Sequence, residues 1–337
     1  MVSSLSSLAD RNFVIAYLLP VILATFCLLA TFRDVAAVAT IWAVVLDADK
    51  FAALTLLVLA LWTASILLMF LNLPLYRVLE GYYGPLASDF VVRRRNKRYT
   101  RELGALADCK PQDGADIKAQ TVYAEALREF RARYPRDPLL LMPTRLGNVL
   151  RSAETYSKDV YGADSIAIWA RIAAVTPDSL AKLIDSARAE MDFFVNAIFL
   201  SSAVSFVALV RFLKGLLESA TPETFVGQFW SFLLVTVLGC ALALVSYQFA
   251  ILKARAWGEL FRSTHDLYLP DLAKQLGYEL PNKEDDRKKF WGKVNDLFLD
   301  QIAIKPDDWL AADRTETGEA KKNREIEIIV RSRKIGE

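Results

Sequence analysis

The sequence predicts an all-α integral membrane protein with four transmembrane helices and long cytoplasmic helical extensions. Three observations carry this reading. Hydrophobic residues make up 54% of the 337-residue chain although 24% are charged, and the mean hydropathy is +0.25, so the apolar residues must be concentrated in segments. Four of those segments are long enough, as helices rising about 1.5 Å per residue, to cross a hydrocarbon core of about 30 Å. Period-two strand patterning is weak outside Glu325 to Arg331, EIEIIVR.

Residues 13 to 32 carry no charge, as does the run 51 to 73, which ends at Pro74. The first run is longer than a signal-peptide core and lacks a small-residue cleavage site, so it is expected to be retained. A third run extends from Phe193 to Val210, flanked by Asp192 and Arg211 where side chains can reach an interface, and a fourth covers 229 to 252. Thr176-Pro177-Asp178 reads as a helix start, with no Gly or Pro before Lys214, which allows one helix from the cytoplasm through the third run. Thr221-Pro222-Glu223 repeats the signal, and the next proline is Pro270, which sets the expected reach of the fourth helix.

Between and after these runs the chain also reads as helix: from Pro85 towards Arg101, from Ile117 to Tyr134, and from Arg145 to Tyr161, the last capped by Thr144 and stopped by Gly162. The connection 33 to 50 holds an uncharged, mostly apolar stretch of twelve residues, VAAVATIWAVVL, too short to span and suited to an interfacial helix. Asp108 to Asp116 and Thr315 to Arg324 read as solvated connectors. The resulting organisation is a tail and first transmembrane hairpin (1–73), a cytoplasmic helical domain (74–190), a second hairpin (191–252) and a C-terminal cytoplasmic region (253–337).

Orientation follows from the Lys and Arg distribution. The N-terminal tail holds 1, the connection 33–50 holds 2, the segment 74–190 holds 19, the connection 211–228 holds 2 and the remainder 17. The positive-inside bias therefore puts both termini and the middle segment in the cytoplasm, on the inner (plasma) membrane of a cell.

The same composition excludes chemistry. A single histidine, His265, and three cysteines leave no His/Cys metal set, so no metal and no cofactor are expected, and no catalytic residue is assigned. The apolar runs carry no ionisable residue near their centres, which argues against proton pumps and ion-coupled transporters. Asn196 is among their strongest polar groups. Ser201, Ser202 and Ser205 share one face of the third run, and Thr236, Gly239 and Ala243 one face of the fourth. These small residues suit close helix packing or, alternatively, a pore lining.

Arg93, Arg94, Arg95, Lys97 and Arg98 place five cations in six residues beside the second run. Such a cluster fixes topology and attracts anionic lipids, or binds phosphate groups of a nucleotide or oligonucleotide. Arg145 and Arg151 join it as phosphate-binding candidates, within the unusually polar block PTRLGNVLRSAETY (143–156). In that block Gly147 beside Asn148 signals a close contact.

The blocks LEGYYG (79–84), PTRLGNVLRSAETY and WGELFRSTHDLYLPDLAKQLGYELP (257–281) resemble a broad group of uncharacterised bacterial multi-pass membrane proteins, a resemblance that implies no assigned reaction. In layout alone the chain is similar to the channel-forming effectors of anti-phage defence, including the membrane component of Hailong systems. That similarity implies a homotetrameric ion channel held closed by a nucleic-acid-like ligand and opened on infection, an abortive response. The expected function is thus a homo-oligomeric channel or pore-type effector gated through its cytoplasmic helices. The alternative is a non-conducting membrane scaffold that docks cytoplasmic partners.

Overall fold

The computed structural model describes residues 10–32, 39–40, 43, 51–112, 116–218 and 222–302. The expected strand 325–331, the connector 315–324, Thr221 and most of the connection 33–50 lie outside them. Among the described residues every regular element is a helix: α1 (Arg11–Thr31), α2 (Phe51–Glu80), α3 (Asp89–Asp108), α4 (Ile117–Arg133), α5 (Arg145–Tyr161), α6 (Ser165–Val175), α7 (Asp178–Glu218), α8 (Pro222–Gln275) and α9 (Glu284–Leu299). Helices α1, α2, α7 and α8 are long and apolar enough to cross a membrane. Their outward faces are greasy: Leu56, Phe70, Phe206 and Leu244 are 66–72% exposed, an arrangement that water would penalise and hydrocarbon would not.

Helix ends follow local chemistry. At the end of α2, Gly81 (φ 90°) donates to Val78 O and Tyr82 N–H to Arg77 O. At the end of α8, Gly277 (φ 83°) donates to Lys274 O and Tyr278 N–H to Ala273 O. Both are Schellman closures, which need the left-handed conformation that glycine adopts freely. Thr144 accepts from Gly147 N–H at 3.0 Å and starts α5 as its sequence predicts. Thr176 differs: its hydroxyl donates to Ile172 O at 2.8 Å and the residue closes α6, while Pro177 O accepts the first bonds of α7.

Two prolines are traversed. Each deprives the carbonyl four residues earlier of its donor, at about 3 kcal/mol in a helix interior, yet α2 continues past Pro74 and α8 past Pro270. Burial holds the turns beyond them. Tyr76 and Leu79 are buried after Pro74, and Leu272 and Ala273 after Pro270.

The chain divides into two compact units, Met1–Ala153 with Pro177–Phe261, and Glu154–Thr176 with Arg262–Glu337. The second is built on Ile168, Ile172, Leu269, Leu272, Phe290 and Trp291. Asn295 pins its turn, accepting from Asp164 N–H at 2.9 Å and donating to Gly162 O at 2.8 Å. Asp164 in turn caps α6 by accepting from Ile166 and Ala167 N–H. His265 is fully buried and stacks on Trp169 at 6.3 Å between ring centroids, a core position.

In the first unit, Phe13, Ala16, Tyr17, Val21, Leu68 and Ala189 join α1, α2 and α7. Here the expectation for Asp192 is corrected. It does not reach an interface but is 4% exposed, accepting from Tyr17 at 3.2 Å and from Tyr76 at 2.6 Å. Asn72 donates to the Tyr17 oxygen at 2.9 Å. One turn on, fully buried Asn196 donates to Ala16 O at 2.8 Å, within a π-helical turn, Val14–Leu18, whose wider hydrogen-bond spacing leaves carbonyl capacity free. A buried carboxylate needs such donors, and nothing at the boundaries of the apolar runs signals them.

Candidate functional site

Helix α3 starts after Ser88 and carries Asp89 in its first turn, where an acid complements the helix dipole. It packs against α4 through Tyr99, Leu106, Phe130 and Tyr134. This hairpin fixes one wall of a cavity of about 560 Å³ in the first unit, within the size range of small-molecule sites. Six arginines line it: Arg94, Arg95 and Arg98 of α3, Arg133 of α4, Arg145 of α5 and Arg255 of α8. The apolar helices contribute Ile198 and Ser202 from α7 and Ala243, Leu244, Tyr247 and Ile251 from α8.

Two carboxylates order half of these cations. Glu102 accepts from Arg98 Nε at 2.7 Å and from Arg133 at 2.9 Å, and it is the main reason Arg98 holds its proton more tightly than usual. Glu129 lies 3.6 Å from Arg133 and 4.0 Å from Arg255. Among the described residues no carboxylate pairs with Arg94, Arg95 or Arg145. Burial pulls the Arg95 guanidinium below its ordinary pKa. Burial does the same to Arg145, reinforced by the neighbouring charges of Arg98 and Arg255 and only partly opposed by Tyr247 and Glu102. The cavity thus gathers more positive charge than its own acids neutralise, and an anion would relieve the repulsion.

Arg145 also lies 3.4 Å from the Gln248 oxygen, and Leu146 N–H donates to the Tyr247 oxygen at 3.5 Å, tying the start of α5 to α8. Asn148 makes that start rigid. Its amide nitrogen donates to Met142 O and Thr144 O, and its oxygen accepts from Met142 N–H. Gly147 is needed where it stands, since a Cβ there would come within 2.8 Å of Glu80 O. The polar block around Asn148 therefore presents Arg145 to the cavity on a fixed frame.

The sequence candidates separate. Arg94, Arg95, Arg98 and Arg145 meet in the cavity. Arg93 is exposed and bonds to Asp89 O, Lys97 is exposed outside the lining, and Arg151 donates to the Tyr82 hydroxyl. Arg133 and Arg255 were missed. Each is distant in sequence from the arginine cluster, and no spacing signal links them to it.

The small-residue faces meet each other within one chain. Ser205 donates to Ser201 O, Ser201 to Ala197 O and Ser202 to Ile198 O, so each hydroxyl proton is used on its own helix. Thr236 lies 2.8 Å from Phe232 O and 3.4 Å from Ser205 O, and Gly239 abuts Ser205 and Ser201. Ser202 and Ala243 line the arginine cavity. Ser201 and Gly239 line a second, apolar cavity of about 560 Å³ with Cys27 and Phe249.

Compared with known proteins, the chain matches no family model, no curated protein and no solved structure.

Proposed function

We propose that the chain is a homo-oligomeric membrane channel or pore-type effector of the inner membrane, its termini and arginine cavity on the cytoplasmic side, regulated by an anion bound in that cavity. The observation that carries this reading is the mixed wall of the cavity. Arginines of α3, α4 and α5 share it with Ile198, Ser202, Ala243 and Tyr247 of two apolar helices. An anion drawn to the guanidinium groups would therefore change forces on α7 and α8, and a ligand shifts an equilibrium only through such differential contacts. Defence against phage by abortive infection is the physiological setting that the layout suggests.

A path for ions would run between subunits, since the serine hydroxyls of α7 bond to their own backbone and Gly239 sits against Ser205. That same closed packing supports the second reading, a non-conducting scaffold for cytoplasmic partners. Purified protein reconstituted into potassium-loaded vesicles separates the two. The channel reading expects ion flux above that of empty vesicles and a changed flux when Arg94, Arg95 and Arg145 are replaced by Gln. Flux equal to empty vesicles, for wild type and variant alike, leaves the scaffold.

A further inference from the structure

We infer that the arginine cavity is a binding site for an anionic phospholipid, its phosphodiester on the guanidinium groups and its hydrocarbon along α7 and α8. The wall itself is amphiphilic. Arg95 and Arg255 each keep a buried Nε donor with no protein acceptor among the described residues, while Arg94 and Arg145 make no ion pair with a carboxylate among them. Arginine forks match phosphate oxygens in pairs, which a lysine cannot do. Ile198, Leu244, Ile251 and Val91 are among the apolar residues of the same lining.

A soluble phosphate would satisfy the arginines and leave those side chains against water. A purely apolar ligand would bury cations without an anion, which costs far more. An amphiphile satisfies both, and basic pockets between transmembrane helices are where anionic headgroups bind. Leu244 lines the cavity and is 69% exposed, so the cavity is open beside an apolar helix. A lipid could enter from the bilayer without crossing water.

This assignment rests on the membrane reading of α7 and α8, and it does not require that the protein conduct. The test uses full-length protein in nanodiscs of phosphatidylcholine with or without phosphatidylglycerol, released into the gas phase and weighed with the lipids it retains. Retention of phosphatidylglycerol over phosphatidylcholine is expected. The pair Arg95→Gln with Arg145→Gln should weaken that preference about a hundredfold or more, the scale of two lost charge-assisted bonds. The exposed pair Arg93→Gln with Lys97→Gln should leave it unchanged.

Should the first pair fail to fold, Arg95→Lys with Arg145→Lys retains the charge and loses the forks, and a several-fold loss is expected. Equal loss in the exposed pair, or no loss in either cavity pair, overturns the site. Displacement of the lipid by pyrophosphate or a short DNA strand overturns the lipid assignment and gives the cavity to a soluble phosphate. Lipid retention without ion flux leaves this site standing and removes the channel, whereas flux without selective retention does the reverse.

Discussion

A carboxylate with 4% exposure is the residue on which the apolar core of the first unit turns. Asp192 accepts hydrogen bonds from Tyr17 of α1 and Tyr76 of α2 while belonging to α7, so three helices are joined at one side chain. Removing it leaves two phenolic donors without their acceptor in a water-poor setting, and each such buried group costs about 1–3 kcal/mol. Asp192→Ala should therefore lower the unfolding midpoint in mixed micelles more than Tyr76→Phe, which removes one bond and keeps the ring. Asp192→Asn should fall between, because one amide oxygen remains to accept. A midpoint for Asp192→Ala indistinguishable from wild type would show that the carboxylate is solvated and the junction is not structural. In the sequence Asp192 is simply the last charge before an apolar run, and the tyrosines that bury it stand 175 and 116 positions away.

Elements whose cause is local were legible, and those held by distant packing were not. The start of α5 at Thr144, its stop at Gly162 and the four apolar helices follow from a cap, a left-handed glycine and run length, all contained within a few residues. The continuation of α2 past Pro74 and of α8 past Pro270 depends on buried partners elsewhere in the chain, and the sequence placed boundaries there. Likewise the α3 arginines announced a basic site, but Arg133 and Arg255 join it only because α4 folds back on α3 and α8 carries Arg255 beneath them. The small-residue faces sit between these cases: their closeness was readable, their partner was not. Gly239 meets Ser205 and Ser201 of the same chain, with Ser201 O only 3.1 Å from where a Cβ would stand. Gly239→Leu should thus part α7 from α8, costing about 1–3 kcal/mol as overpacking does. Gly292, with open space around its missing Cβ, is the contrast: Gly292→Ala should gain up to about 1 kcal/mol of helix propensity. If both substitutions moved the unfolding midpoint alike, the α7–α8 contact would not be the cause.

At the scale of the whole molecule, the case for a membrane and the proposed direction across it rest on different physical routes, one on composition and the other on charge distribution. Four helices with outward faces of Leu and Phe are long and apolar enough to cross hydrocarbon, and the proposed cytoplasmic side rests on 19 basic residues in 74–190 against 2 in 33–50 and 2 in 211–228. The three free cysteines test both at once. Cys27 lies in α1 and lines the apolar cavity, Cys240 lies in α8, and Cys109 closes α3 on an exposed turn. In intact cells an impermeant maleimide should modify none of them. A permeant maleimide should modify Cys109, since thiolate chemistry proceeds in water, and leave Cys27 and Cys240 largely unmodified because hydrocarbon suppresses ionisation of a thiol. Solubilisation in denaturing detergent should then expose all three, which shows that the protection came from the bilayer. Modification of Cys109 by the impermeant reagent would invert the orientation and put the arginine cavity outside the cell. Rapid modification of Cys27 or Cys240 in the membrane would mean that water reaches those helices, the result expected of a pore that stands open.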